Sequence, residues 1–260
     1  VGVFVSEDGG VNWDDTNFPA LGSSENISCV AISMECTGGQ RDIAIGTRTR
    51  GGTGKVYVAK AEALIPVWVD QGVTGDVVEL KFSPTYEGDH TIVVVYSDAT
   101  GTYLNAGDHD IGANTTDWSK IYGAAAPIEV TTGAPGTSAN CTQIITTDLE
   151  LPSDFSGSDP NLRRYYVSTD AFHVATSTYF GRIYRIDDTV VYSIEDPNAG
   201  RISGIAYYGT YDSGKLLAGE VTADPSSGTV DIWRTSSPTA TTPIWPTDGY
   251  RKYPTGGGNS

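Results

Sequence analysis

Apolar positions in this chain come in short runs separated by turn residues. No window of 12 or more residues keeps the i, i+3, i+4, i+7 spacing of an amphipathic helix. The runs pair up along the chain. Ile27–Ile32 precedes Asp42–Gly46, Val77–Phe82 precedes Thr91–Tyr96, Thr142–Ile145 precedes Arg164–Ser168, and Ile202–Tyr208 precedes Leu216–Gly219. The first run of each pair mixes polar and apolar positions. The second is nearly continuous apolar in the first two pairs, as expected of a strand buried on both faces.

Two markers set a longer period. A Gly followed by an apolar strand recurs at Gly2, Gly54, Gly101, Gly181 and Gly228, at intervals of 52, 47, 80 and 47 residues. An aromatic opens the next strand each time, at Trp13, Trp68, Trp118, Tyr192 and Trp245, at intervals of 55, 50, 74 and 53. About four strands per 40–50 residues is the mark of an all-β propeller of four-stranded antiparallel blades. Residues 25–72, 75–121, 139–196 and 200–249 each read as one blade. Residues 1–19 supply the last two strands of an earlier blade, and 250–260 a tail or the start of the next. Four and a half blades close a ring poorly, so the chain is expected to be part of a larger protein. The third unit is enlarged by two insertions, Leu151–Pro160 and Ala171–Phe180, which read as surface loops and therefore as places for binding.

The opening stretch is a hairpin, Gly2-Val3-Phe4-Val5-Ser6-Glu7-Asp8-Gly9-Gly10-Val11-Asn12-Trp13. Gly9 and Gly10 tolerate the positive φ of a tight turn. A carboxylate such as Asp8 fixes a turn by accepting backbone N–H groups. Ser6, Asp8, Gly10, Asn12 and Trp13 fill the pattern S-x-D-x-G-x-[TN]-W. The hairpin thus resembles the BNR/Asp-box repeat of sialidases, sortilin-like receptors, xyloglucan hydrolases and photosystem-assembly factors. Phe82-Ser83-Pro84-Thr85-Tyr86 is similar to the strand-ending Ser-Pro segment of bacterial repeats of this kind. The resemblance implies that the box is a folding device and not an active site.

Of 260 residues, 32 are acidic and 16 basic, a net charge of −16. Such a chain repels nucleic acid, and no basic patch offsets this. No apolar run is long enough to span a membrane as a helix, and no signal peptide is visible at Val1. Cys29 and Cys36 are close enough in sequence for a local disulfide, which leaves Cys141 over; nothing resembles the C-x-x-C of a zinc site. Three sequons, at Asn26, Asn114 and Asn140, permit glycosylation of an exported protein.

Candidate chemistry is sparse. Asp108-His109-Asp110 is the densest group of ligand-type side chains, and Asp108 and Asp110, spaced by two, would suit Ca²⁺; a degenerate turn box is the competing reading. Sialidases of the resembled class use three arginines, a Tyr–Glu pair and an Asp. Arg41, Arg163, Arg164, Arg182 and Arg201 cannot be assigned to that triad. His90, His109 and His173 are too dispersed for a Ser/His/Asp arrangement. No catalytic residue is marked out, so the chain reads as a non-catalytic extracellular or cell-surface module that binds protein or glycan, or builds a surface layer or filament. A glycoside hydrolase of the sialidase or xyloglucan-hydrolase type is the alternative, which two facing carboxylates or an arginine cluster in a central cleft would favour. An assembly factor of the photosystem kind is the third.

Overall fold

A computed structural model describes residues 2–6, 8–131, 141–173, 178–194, 201–221 and 232–246. The chain is nearly all-β, and every sheet is an antiparallel meander. β1 (Phe4–Val5) and β2 (Asp14–Asp15) form a two-stranded ribbon. The first full sheet is β3 (Asn26–Ile32), β4 (Asp42–Arg48), β5 (Val56–Lys60) and β6 (Val69–Asp70). The second is β7 (Asp76–Phe82), β8 (Thr91–Ser97), β9 (Thr102–Asp110) and β10 (Thr115–Asp117), with β11 (Ile128–Glu129) also paired to β9. The third is β12 (Cys141–Glu150), β13 (Arg164–His173), β14 (Thr178–Asp187) and β15 (Val190–Ser193). The fourth is β16 (Arg201–Gly209), β17 (Gly214–Val221) and β18 (Ile232–Thr235).

Two sheets differ from the four-strand expectation. The second has a fifth strand, beyond the limit read at Ile121, because Ile128 pairs with Leu104 on the free edge of β9. The fourth has three strands among the described residues. Pro238, Pro243 and Pro246 follow β18 and lack the N–H that a further ladder needs.

The sheets stack through their second strands, whose side chains alternate between two interfaces. Ile92 and Val94 of β8 pack with Ala44, Val58 and Leu80 toward the first sheet. Val93 and Val95 pack with Leu149, Tyr165 and Val167 toward the third. On β13, Tyr166 faces the other way, into Ile183, Ile205, Leu216 and Trp233. Each fully buried aliphatic of this kind contributes roughly 1.5–3 kcal/mol.

A second device joins neighbouring sheets. The Trp68 indole N–H donates to Thr16 O at 3.0 Å, Trp118 to Gln71 O at 2.7 Å and Trp245 to Ile194 O at 2.7 Å. Each acceptor is the residue just past the last strand of the preceding sheet. Tyr192 has no indole; its ring instead lies under the Arg185 guanidinium at 4.5 Å. Trp13 donates locally to Gly10 O and is 62% exposed, so among the described residues it wedges into no neighbour.

Each first strand carries a β-bulge near its start, between Ile27 and Cys29, Val77 and Glu79, Ile144 and Thr146, and Ile202 and Gly204. A bulge re-aims the side chain of the extra residue. The re-aimed residues are Ser28, Val78, Ile145 and Ser203.

The insertion Leu151–Pro160 is a packing element. Phe155 is fully buried against Tyr165. Thr85 Oγ1 donates to Phe155 O at 2.7 Å, and Gly157 N donates to Asp89 Oδ2 at 2.7 Å. A Cβ on Gly157 would lie 2.0 Å from Thr91 Oγ1. The loop is clamped onto the β7–β8 connection, where Ser83 also donates to Asp89 and one short helical turn, α1 (Tyr86–Asp89), interrupts the β pattern. Its apolar anchor, Phe155, was hidden in a segment that otherwise reads as polar.

Candidate functional site

The first strands of successive sheets lie against one another, β3 on β7, β7 on β12 and β12 on β16. Where the first three sheets meet, at the starting ends of β7 and β12, there is a cleft of about 450 Å³. Its apolar floor is Val78, Ile144 and Ile145, two of them the bulge residues. Its polar wall is the β4–β5 loop, Arg48 to Gly52, and Ser97 and Asp98 from the β8–β9 connection. The two loops touch: a Cβ on Gly52, which has φ +75°, would lie 3.2 Å from Asp98 Cα.

Both carboxylates of the cleft serve the backbone. Asp76 Oδ1 accepts from Thr49 N at 2.7 Å and from Thr49 Oγ1 at 3.1 Å. Asp98 Oδ1 accepts from the N–H groups of Thr100 and Gly101 and from Thr100 Oγ1. Partial burial would raise the Asp98 carboxyl, but these hydrogen bonds outweigh it and hold the group below the usual range. The guanidiniums are less engaged. Arg48 Nη1 donates to Ile145 O at 3.3 Å, and Arg50 is exposed, with φ 60°.

One residue along β7 from Val78 stands Glu79. Burial pushes its carboxyl up to about 7, with further upward pressure from the carboxylates of Asp148 and Glu150 on β12. Leu80 N and Lys81 oppose the shift. Lys81 also pairs with Glu150 at 3.1 Å, and Asp148 Oδ2 accepts from Ile205 N at 2.9 Å, tying β12 to β16. At neutral pH Glu79 is therefore divided between acid and carboxylate, beside two other carboxylates.

The group singled out by sequence is differently organised. Asp108 forms an ion pair with Lys120. Asp110 Oδ1 accepts from Gly112 N and Ala113 N and is held below the usual range, first by the Ala113 bond. Asp110 thus fixes a turn while Asp108 pairs with a cation, and no three His, Cys, Asp or Glu side chains are gathered for a metal among the described residues. His109 points inward and is fully buried. Its Nδ1 bonds Thr116 Oγ1 at 2.9 Å, while Thr116 donates to Gln71 Oε1 at 2.7 Å. Gln71 Nε2 donates to Val69 O and Asn114 O. Thr116 has one proton, already given to Gln71, so His109 Nδ1 carries the ring proton and Nε2 is a bare acceptor without a partner.

Cys29 and Cys36 are both free thiols, a correction to the local disulfide. Cys29 points into the sheet junction, so close that a Cβ on Gly46 would lie 2.4 Å from its Sγ, and burial pushes its thiol up to about 12. Cys36 sits in the β3–β4 loop with its Sγ directed to Met34 O. Asn26 is exposed. Asn114 is half-buried, and its Nδ2 donates to Val58 O and Val67 O on the first sheet, so its amide is structural. Asn140, the tail from 250 to 260 and the side chains of Cys141 and His173 lie outside what is described. In the opening turn, Asp8 accepts from Val11 N, Asn12 N, Asn12 Nδ2 and Ser6 Oγ, and Gly10 N donates to Ser6 Oγ. The Asn12 backbone bond leads the causes that lower the Asp8 carboxyl. Arg41, Arg163, Arg164 and Arg201 are ion-paired, with Glu35 and Glu62, Asp188, Asp187 and Asp170 respectively. Arg182 Nη1 donates to Gly181 O. None of the five lines the cleft.

Arg48, Arg50 and Glu79 were not anticipated. Arg-Thr-Arg-Gly-Gly, two cations in front of a glycine turn in a chain so acidic, was the available signal for the first two. Glu79 had none, because its environment comes from a strand some 70 residues away.

No protein-family model matches the chain, and no curated protein matches it either. Among solved structures it is similar to an N-acetylgalactosamine deacetylase from F. plautii, in complex with blood group B trisaccharide (8% identity, 90% of this chain and 70% of that one, TM-score 0.43). It is also similar to a thermostable family-43 glycoside hydrolase (9%, 88% and 74%, TM-score 0.42). An endo-arabinase from Bacteroides thetaiotaomicron is a third (11%, 91% and 83%, TM-score 0.40). At these scores and identities the likenesses carry neither a fold nor an activity to this chain. No helix among the described residues is long and apolar enough to cross a membrane.

Proposed function

We propose that this chain is a carbohydrate-binding module of the propeller type, acting outside the cell or at its surface, with the cleft between the first three sheets as its ligand site. The single observation that carries the reading is the cleft itself: about 450 Å³, within the range of small-molecule sites, with a hydrocarbon floor from the second and third sheets and polar walls from the first two. The role of Asp76 and Asp98 in fixing loops supports binding without catalysis, since each spends an oxygen on the backbone. The carboxylate-centred opening turn and the repeated indole clasp support membership of the Asp-box class. Titration of the intact protein with a panel of neutral and acidic oligosaccharides, followed by chemical shifts at Val78, Gly51 and Ala99, tests this. Shifts confined elsewhere, or none at millimolar ligand, overturn it.

A glycoside hydrolase is the second reading, and one observation favours it. Burial raises the Glu79 carboxyl, with Asp148 and Glu150 near enough to add to the shift, and a raised carboxyl is what a general acid needs. Hydrolysis of an aryl glycoside or polysaccharide that vanishes in Glu79→Gln, with a pH profile breaking near 7, would establish it. Activity unchanged in that variant would remove Glu79 from consideration.

A further inference from the structure

The cleft's two arginines stand out against the rest of the chain. Acids outnumber bases two to one. Arg41, Arg163, Arg164, Arg185 and Arg201 accordingly each find a carboxylate, and so do Lys55, Lys81 and Lys120. Arg48 and Arg50 face a cavity, and among the described residues neither has a carboxylate within salt-bridge distance. The two acids that line the cleft with them, Asp76 and Asp98, accept instead from Thr49, Thr100 and Gly101.

We infer that the cleft selects a saccharide bearing a carboxylate, which Arg48 and Arg50 grip; this rests on the saccharide-site reading above. A planar guanidinium offers two parallel N–H donors at the spacing of two carboxylate oxygens. Two such groups, two residues apart before a glycine turn, can approach one anion from adjacent sides. Asp76 and Asp98 bring the formal charge of the four groups to zero, so selection rests on direct contact of guanidinium with carboxylate and not on a net positive field. Val78 and Ile145 supply the apolar face on which a sugar ring would lie.

The test is calorimetric titration of the whole chain with trigalacturonate and with neutral galactotriose, at 20 and 300 mM salt, for the wild type, Arg50→Gln and Arg48→Gln. Arg50 is exposed on a loop, so its variant keeps the fold, which a thermal melt verifies. The expected result is at least tenfold tighter binding of the acidic ligand at low salt, weakening at high salt, with about tenfold lost in Arg50→Gln and no change for galactotriose. Equal affinity for the two ligands overturns the inference and leaves the saccharide site standing. An acid preference untouched in both variants overturns the assignment to these residues. Failure of both ligands to bind overturns the inference and the reading it rests on.

Discussion

The joint between the third and fourth sheets and the cleft between the first three treat arginine in opposite ways. Toward the fourth sheet, Arg201 meets Asp170, which is 1% exposed, at 2.6 Å, and lies over Tyr179 at 4.1 Å. Arg164 meets Asp187 and lies over Tyr211 at 3.9 Å, and Arg185 reaches Asp187, Pro238 O and Ala240 O. Every one of these guanidiniums is neutralised and covered. In the cleft, Arg48 donates to Ile145 O alone among the described residues, and Arg50 is exposed on its loop with no carboxylate beside it. The same residue type closes one joint and furnishes the other. A charge that stabilises a fold is surrounded by the chain's own acceptors, whereas a charge meant for something else is not.

Mutations at the two joints should separate these roles. The largest effect is expected for Trp245→Ala, which empties a buried site and orphans Ile194 O; about 3–5 kcal/mol should be lost in urea unfolding. The exposed Trp13→Ala should lose well under that, about 1 kcal/mol or less. Next comes Asp170→Asn, which leaves the Arg201 charge unbalanced beside a buried amide; a loss of about 2–4 kcal/mol is expected by the same measurement. Arg50→Gln, its counterpart at the cleft, should stay within about 0.5 kcal/mol. Equal losses at Asp170 and Arg50 would erase the contrast.

Smaller effects are pH-dependent. Glu79 has its folded value raised, so the native state keeps a proton that the unfolded chain releases above pH 4.5, and stability falls as pH rises toward about 7. Glu79→Gln mimics the protonated form and should gain about 1–2 kcal/mol at pH 8, after discounting for solvent screening, and nothing at pH 4. His109 works the other way. Burial depresses it, with Asp42 and Asp110 pulling up and Lys60 and His90 pulling down. Its stabilising contribution is full above the unfolded value near 6.5 and declines as pH falls below it. In denaturation curves from pH 7.5 to 5, His109→Gln should flatten that decline.

Much of the fold was legible because periodicity reports burial directly. The paired apolar runs became β3 and β4, β7 and β8, β12 and β13, β16 and β17, and Trp68, Trp118 and Trp245 occupy equivalent places because each needs the same indole acceptor. What could not be read depends on contacts distant in sequence. The clamp of Phe155 on Thr85, the second pairing of β9 with β11 and the free state of Cys29 are set by partners that no local pattern encodes. The cleft is hidden for the same reason. Val78 and Ile145 look like ordinary strand residues until a bulge brings them to the cleft floor, and Arg48 and Arg50 look like ordinary loop cations until they are set beside Arg41, Arg163, Arg164, Arg185 and Arg201, each of which meets a carboxylate.

The indole clasp addresses a main-chain oxygen, which every residue possesses. The joint is therefore indifferent to the side chain it meets, and each indole reaches back 47 to 52 residues to its acceptor. Recombination could duplicate or excise one such module without redesigning its neighbours, so lineages carrying this hardware are free to lengthen or shorten by whole units while the surface of each unit drifts.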